Sequence, residues 1–215
     1  MTRKKKTGIA LFNFIAPIYG LFFRMQTRNF QRIVELAAPY VKLTEQEAIL
    51  DAGCGTGALC SILAHNYPNL QVTGVDPANK MLKIARRKTA GQDISYLQAN
   101  ILNGLPYADN SFDISISSYV AHGLKSEERA AMYAEMSRIT RGYVIIHDYN
   151  DKRAPLTSLI EWLERGDYFN FIQTAETEMR NCLSQMRKCF SHVEVIDVGK
   201  TASWYICTPA GKDNA

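Results

Sequence analysis

The chain has 215 residues, of which 47% are hydrophobic and 21% charged, and this is the composition of an ordinary globular protein of one domain with small additions. Five cysteines, an odd number without a CxxC pair, argue against a disulfide framework, and four scattered histidines argue against a metal site. The net charge of +4 is uneven, because the first 34 residues contain seven of the 25 basic residues and none of the 21 acidic ones.

The first predicted elements are helices over residues 7–40, ahead of any strand pattern. Their apolar run, residues 9–23, is interrupted by Pro17 and Gly20 and is too short for a comfortable membrane span. A signal peptide would begin in a similar way, but no small-residue cleavage site follows. We therefore expect a mature cytoplasmic protein.

An arginine stripe follows the apolar run, because Arg24, Arg28 and Arg32 recur every four residues and would share one face of a helix. Two interpretations are open for this stripe. It is either a solvated helix face or a contact for an anionic acceptor or lipid headgroups. The second interpretation would give peripheral membrane contact through the basic N-terminus.

Beyond residue 40, strand and helix patterns alternate, which predicts an α/β fold with a parallel sheet covered by helices on both faces. Strands are expected near residues 47–52, 70–76, 93–98, 112–118 and 142–148, and helices near 57–66, 78–89 and 126–139. Residues 155–190 are predicted to be a helical insertion whose aromatic residues pack in a core or lid. A terminal hairpin is expected from residues 193–198 and 203–207, with its turn at Gly199 and Lys200.

The most informative segment runs from residue 48 to residue 57. There an apolar strand pattern ends at Asp51 and turns through three glycines into a helix pattern. Glycines allow positive φ and a close approach of the backbone to a ligand, and the amides at the following helix start favour a polar or anionic group. The next strand ends in Asp76, where an acid suits the two hydroxyls of a ribose. This layout predicts nucleoside binding, although a dinucleotide site would prefer the spacing G-x-G-x-x-G.

The spacing found here, D-x-G-x-G-x-G with Asp51 two residues before the first glycine, resembles the first motif of the class I S-adenosylmethionine-dependent methyltransferases. Gly74–Leu82 and Tyr96–Ile101 resemble the second and third motifs, and Leu105–Asp113 resembles the run LPF-x-D-x-SFD. The resemblance covers about residues 45–150. It implies a Rossmann-like, doubly wound sheet of seven strands in the order 3-2-1-4-5-7-6, mostly parallel with an antiparallel last strand, plus N-terminal helices.

The resemblance also implies a site for S-adenosyl-L-methionine as cofactor. Asp76 would take the ribose hydroxyls, Met81 would flank the adenine, and Asn100 or the Ile101 amide would receive the adenine edge. Asn100 stands where the family usually has Asp, so its amide oxygen would accept a hydrogen bond without a charge. The predicted cofactor-binding residues are Tyr19, Asp51, Gly53, Cys54, Gly55, Gly57, Asp76, Pro77, Met81, Asn100, Ile101 and Ser117.

The sequence leaves the catalytic residues unknown, because methyl transfer needs a base only when the acceptor must first lose a proton. The candidates are His122, His147 and Tyr149. His122 follows the predicted tip of the fourth strand and is interpreted as a helix-start histidine bonded to backbone rather than as a base. His147 and Tyr149 lie at the predicted tip of the fifth strand, where packing and substrate contact are both open.

Phe14–Gly20 is similar to the "IAP-x-YD" segment of the ubiquinone and menaquinone biosynthesis methyltransferases, with Gly20 in place of the usual Asp. In that group the segment folds over the cofactor, and its tyrosine, here Tyr19, helps to close the site. We therefore expect a helical lid over residues 1–40 and a methyltransferase domain over residues 41–215. The expected acceptor is a small molecule, quinone-like or lipid-like, and the chain is expected to be a monomer or a homodimer.

Two other functions remain as alternatives. A nucleic-acid methyltransferase would use the basic N-terminus to hold phosphates. However, the run [DNS]-P-P-[YFW] of enzymes that methylate base amino groups is replaced here by Ser117–Val120, and the basic residues are too few for an RNA-binding face. The second alternative is a non-catalytic, cofactor-binding partner subunit.

Overall fold

The computed structural model describes residues 8–44, 47–149, 175–198 and 202–211. The helices in these ranges are α1 (Gly8–Leu21), α2 (Phe23–Ala37), α3 (Ala58–Asn66), α4 (Asn79–Lys88), α5 (Ser126–Ile139) and α6 (Ala175–Cys189). The strands are β1 (Ala48–Ala52), β2 (Gln71–Val75), β3 (Ile94–Leu97), β4 (Phe112–Ser118), β5 (Thr140–Tyr149), β6 (Phe190–Asp197) and β7 (Ala202–Pro209). Short 3₁₀ turns at Ile101–Asn103 and Ala121–Gly123 follow β3 and β4.

The predicted elements are therefore present wherever the chain is described. Residues 175–189 of the expected helical insertion form α6. Its earlier part, with the aromatic residues Trp162, Tyr168, Phe169 and Phe171, lies outside the described residues, and so does the turn at residues 199–201.

The seven strands form one sheet in the order β3-β2-β1-β4-β5-β7-β6, which confirms the predicted fold. Neighbouring strands from β3 to β5 pair in parallel, whereas β7 pairs antiparallel with both β5 and β6. The strand order reverses between β1 and β4. Ligands of open α/β sheets bind beyond the carboxyl ends of the strands at such a reversal.

Helices cover both faces of the sheet, so apolar residues of the central strands are buried on both sides. On one face, Ile49 of β1 joins a cluster with Ile33 of α2 and Leu59 of α3. On the other face, Leu50 joins a cluster with Met132 of α5 and residues of α6. Adjacent residues of β1 thus point into two separate cores.

The two N-terminal helices pack on helices that cover the sheet, α1 on α4 and α2 on α3. Along α1, Ile15 and Ala16 are buried against Met81 and Ile84 of α4. No single helix in the described ranges is long and apolar enough to cross a membrane; α1 and α2 meet that test only as a pair bent by 83°.

Candidate functional site

The glycine loop lies at the reversal of strand order, between β1 and α3. Gly53, Gly55 and Gly57 have φ values of 82°, 52° and 77°, which favour glycine at each position. A Cβ atom at Gly53 would lie 2.5 Å from Cγ2 of Val120, and one at Gly57 would lie 2.3 Å from the hydroxyl of Tyr96. At Gly55 it would meet no atom within 4 Å. Of the three glycines, Gly55 is therefore the one whose backbone faces open space that a ligand could fill.

Four amides of the loop already donate hydrogen bonds within the protein. Two of them donate to the carbonyl oxygen of Val75, one to Oδ2 of Asp76 and one to the carbonyl oxygen of Cys54, at distances of 2.7 to 3.0 Å. The donors are Gly53, Cys54, Gly55 and Gly57. The amides that the sequence led us to expect as a site for a polar or anionic group are those at the start of α3, after Gly57, so these four hydrogen bonds do not test that expectation. A pyrophosphate would have to displace existing hydrogen bonds here.

Two carboxyl groups flank the loop. Asp51 is 2% exposed and accepts a hydrogen bond from Sγ of Cys60 at 3.2 Å. Burial raises the pKa of Asp51 to about 7; the Cys60 hydrogen bond works against this shift, and the charge of Asp76 adds to it. Asp76 accepts hydrogen bonds from the amides of Gly55 and Ala78 at 2.9 and 2.7 Å, and burial raises its pKa as well. Two buried acids favour a cationic ligand, because a positive charge offsets both their burial and their mutual repulsion.

Cys54 lies within the loop and is buried. Burial raises the pKa of its thiol, so the thiol is protonated at neutral pH and is a poor nucleophile. The prediction that Cys54 is one of the cofactor-binding residues stays a prediction.

The residues expected near the adenine lie after β2 and β3. Oδ1 of Asn100 accepts a hydrogen bond from the Leu102 amide at 3.1 Å, so one of its two acceptor positions is used within the protein. Ile101 is buried beside it. Pro77 is half-buried, and its carbonyl oxygen accepts a hydrogen bond from Nε2 of Gln98 at 3.3 Å.

Met81 and Tyr19 meet at the contact between α1 and α4. Met81 is 1% exposed and is packed against Ile15 and Ala16. Tyr19 is half-buried against the same cluster. Helix α1 therefore covers part of Met81, and the prediction that Met81 flanks the adenine stays a prediction.

Ser117 does not join the other predicted residues. Its side chain is 1% exposed, and its hydroxyl donates to Sδ of Met132 at 3.9 Å, on the face of the sheet that α5 covers. Alternate strand residues point to opposite faces, so this serine points into the core. The expectation of cofactor binding by the Ser117 side chain is not supported.

His122 and Asp148 form a pair where β5 ends. Nδ1 of His122 lies 2.8 Å from Oδ1 of Asp148, and the His122 amide donates to Oδ2 at 3.0 Å. The interpretation of His122 as a histidine bonded to backbone is therefore wrong about its partner. A carboxylate at Nδ1 holds the ring proton there and leaves Nε2 as the basic atom. Tyr149 ends β5, and its side chain lies outside the described residues.

His147 lies on the opposite face of β5 and is 1% exposed. The rings of Phe30, Tyr119 and Trp204 surround it at centroid distances of 6.0, 4.5 and 6.3 Å. Its Nδ1 lies 3.4 Å from Oγ of Ser118, and Nε2 has no hydrogen-bond partner among the described residues. Burial lowers the pKa of His147 to about 4, so the ring is neutral at neutral pH. The structure separates it from the pair formed by His122.

Sequence reasoning missed two contacts that join the N-terminal helices to the site. Oγ1 of Thr56 in the loop donates to Oε1 of Gln26 on α2 at 3.0 Å. The amide of Lys80 at the start of α4 donates to Oδ1 of Asn13 on α1 at 2.9 Å. The partners are 30 and 67 residues apart, so no local pattern could indicate these contacts.

No group of three or more metal-ligating side chains occurs within the described ranges. A surface depression of about 460 Å³ is lined by residues that include Asp109, Arg138 and Lys188. It lies where β4, β5 and β6 begin, at the end of the sheet opposite the glycine loop. It is therefore separate from the candidate site.

Comparison with known proteins identifies a methyltransferase domain in this chain. A family model described as a methyltransferase domain matches residues 49–142, which include the glycine loop, Asp76 and His122. The demethylmenaquinone methyltransferase of Thermotoga maritima is 32% identical over 145 residues, which are 65% of this chain and 59% of that protein. The chain thus spans less than two thirds of this relative.

Two further comparisons extend over most of the chain. The carboxy-S-adenosyl-L-methionine synthase of Campylobacter hominis is 26% identical over 210 residues, which are 91% of this chain and 87% of that protein. The crystal structure of a proposed S-adenosyl-L-methionine-dependent methyltransferase from Methanococcus maripaludis has a TM-score of 0.72 and 20% identity, with both chains fully covered. The likeness to this crystal structure supports the fold described above.

Proposed function

Because the chain contains a class I S-adenosylmethionine-dependent methyltransferase domain that resembles the ubiquinone and menaquinone biosynthesis group, we propose that it transfers a methyl group to a small molecule that is quinone-like or lipid-like. When bound, S-adenosylmethionine supplies a methyl carbon activated by a sulfonium centre. The residues of this chain would bind it, orient the acceptor and exclude water.

The observation that carries the proposal is the pair of buried acids beside the open backbone of Gly55. S-adenosylmethionine carries a sulfonium and an ammonium group, so the charges of Asp51 and Asp76 favour it. A dinucleotide would bring an anionic pyrophosphate close to these two buried acids, and four amides of the loop already have acceptors. Asp76 would hold the ribose hydroxyls, and Gly55 would let the cofactor approach the backbone.

His122 would act as the base when the acceptor must lose a proton before or during transfer. Asp148 holds its Nδ1, so Nε2 would accept the proton from a hydroxyl or an acidic carbon of the acceptor. Asp148 would then stabilise the imidazolium that forms.

The choice of acceptor rests on two observations. The relative from Thermotoga maritima is named for demethylmenaquinone, an apolar ring compound. In this chain, residues 8–37 form two helices, and the first has an apolar sequence. We propose that residues 1–40 act as a lid that excludes water from the transfer, joined to the site through Thr56 and Lys80.

Isothermal titration with S-adenosylhomocysteine, with NAD as the comparison, tests the cofactor part of this proposal. Binding of S-adenosylhomocysteine alone is expected, and binding of NAD alone would contradict it. Transfer from methyl-labelled cofactor to a short-chain demethylmenaquinone tests the acceptor part. Cofactor binding without transfer to this quinone or to any acceptor in a metabolite extract would favour the partner-subunit alternative, and transfer to RNA would favour the nucleic-acid alternative.

A second function is favoured by the relative from Campylobacter hominis, because that alignment spans most of both chains. The name of that relative describes a reaction that adds a carboxyl group to the cofactor itself. The mass of the spent cofactor distinguishes the two functions. Methyl transfer leaves S-adenosylhomocysteine, whereas the second reaction leaves a cofactor heavier by one carboxyl group.

A further inference from the structure

Helix α1 has an exposed apolar face. The helix contains no charged residue, and its opposite side is buried on α4. Phe14 is 69% exposed, Ile18 49% and Leu21 82%, and their spacing of four and three residues gives one continuous stripe. Phe22 and Met25 extend this apolar face past the bend into α2, each about half exposed. A helix that is apolar all round is normally buried all round, so this face indicates a binding surface.

The helices adjoining α1 are strongly basic. Their exposed basic residues are Arg24, Arg28 and Arg32 on α2 and Lys80, Lys83, Arg86, Arg87 and Lys88 on α4. The three helices together contain one acid, Glu35. Eight basic residues against one acid form a local excess in a chain whose net charge is +4.

Contacts show that the charged helix α4 lies beside α1, and Arg24 follows the exposed Phe22 at the bend. Lys80, at the start of α4, donates its amide to Asn13 of α1, and a Cβ atom at Gly20 would lie 3.3 Å from Ile84 in the middle of α4. At the end of α4, the ammonium group of Lys88 lies 5.7 Å from the ring centre of Phe23, next to the bend. Helix α4 thus runs beside α1 along its length.

We propose that this surface docks the protein on an anionic lipid bilayer. The apolar face would enter the boundary between headgroups and acyl chains, and the basic residues of α2 and α4 would contact the anionic headgroups. Each part of the surface needs the other to bind stably, since a short apolar stripe or a basic patch alone gives weak, reversible binding.

Charge also argues against other occupants. A second copy of the chain would bring two basic rims together around the apolar face, which repulsion disfavours. A nucleic acid would contact the basic rim through its phosphates but would leave the apolar face without a partner. The proposal is independent of methyl transfer. If the proposed function also holds, docking would bring the α1 side of the cofactor site to the phase that holds a lipid-soluble acceptor.

The full chain is to be sedimented with vesicles of phosphatidylcholine alone and of phosphatidylcholine mixed with phosphatidylglycerol. We expect binding to the mixed vesicles only, decreasing as salt is raised. Lys83→Glu with Arg87→Glu is expected to weaken it more than tenfold, at roughly fivefold or more for each charge changed. Phe14→Ser with Ile18→Ser should weaken it by a similar factor, on the order of tenfold.

Matched control variants change the same chemistry elsewhere on the surface. Arg187→Glu with Lys188→Glu changes two exposed charges on α6, and Val195→Ser changes an exposed apolar residue on β6. Neither should alter vesicle binding. A Phe14→Trp variant reports insertion directly, because its fluorescence should shift to the blue when the mixed vesicles are added.

Four results would overturn the proposal. These are equal binding to both kinds of vesicle, unchanged binding in the α1 or α4 variants, and no fluorescence shift in Phe14→Trp. The fourth is that the protein does not bind vesicles but associates with RNA or with a second copy of the chain, and that the same variants abolish this association.

Discussion

The buried carboxyl group of Asp51 should make folding stability decrease as the pH rises, and Asp51→Asn should remove this dependence. The pKa of Asp51 is raised from 3.8 to about 7 in the folded protein, so the folded state holds the proton more tightly than the unfolded chain does. The contribution of this group is therefore fully present below about pH 4 and is lost as the pH rises to about 7. Since one pKa unit corresponds to about 1.4 kcal/mol, ionising Asp51 costs the folded state on the order of 4 kcal/mol.

Urea unfolding of the wild type and of Asp51→Asn at pH 5.5 and pH 8.5 measures this cost. At pH 5.5 the protonated carboxyl group of Asp51 should still stabilise the wild type by about 2 kcal/mol, and at pH 8.5 by almost nothing. The free energy of unfolding of the variant, relative to that of the wild type, should therefore rise by about 2 kcal/mol between these two pH values. Groups that do not interact with Asp51 titrate alike in both proteins and cancel in the difference. Asp93→Asn is the control, because Asp93 is exposed and its loss should give no such change.

The same carboxyl group should couple pH to cofactor binding. A cationic cofactor favours the ionised form, and with a pKa of about 7 only about a tenth of Asp51 is ionised at pH 6. The affinity for S-adenosylmethionine should therefore rise roughly tenfold more between pH 6 and pH 8 in the wild type than in Asp51→Asn. A constant difference in stability between the two proteins, or parallel affinities at both pH values, would refute the reasoning.

Three further predictions concern the loop and the histidine pair. Asp76→Ala should weaken S-adenosylhomocysteine binding by about 1.5–3 kcal/mol in calorimetry, because a charged hydrogen-bond acceptor is lost; an unchanged Kd would show that another group holds the ribose. Gly55→Ala and Gly57→Ala both place alanine at positive φ, at a cost of about 1–2 kcal/mol. Gly57→Ala should have the lower Tm, because its Cβ would also meet a tyrosine hydroxyl, whereas Gly55→Ala should lose more cofactor affinity; the reverse order would contradict the site as described. His122→Gln and Asp148→Asn should each lower the rate of labelled methyl transfer, His122→Gln by about 10²–10⁴-fold, with cofactor affinity retained; a normal rate in both would remove the pair from the chemistry.

Much of the fold could be predicted because its signals are local. Strand and helix periods, the three glycines after β1 and the acid that ends β2 are each set by a few neighbouring residues. The strand order that the sheet has was implied by the resemblance to the methyltransferase motifs and not by the order of these elements along the chain. The resemblance to known motifs added the antiparallel position of β7, which residue patterns alone do not indicate.

The errors have a common physical origin, since each concerns which partner a polar or apolar group finds in space. The sequence did not indicate that Val75 and Asp76 accept hydrogen bonds from the loop amides of Gly53, Cys54 and Gly55. His122 was expected to bond to backbone, but it pairs with Asp148, 26 residues away.

The sequence by itself determined the order and type of the elements and the position of the glycine loop, because backbone preference and hydrophobic period act over a few residues. Only the tertiary structure decided which of the three glycines faces open space, which acid is buried enough to have a raised pKa, and which side of α1 is left exposed beside the basic helices. Burial, charge proximity and hydrogen bonding depend on distances between residues far apart in the chain, and packing alone sets those distances.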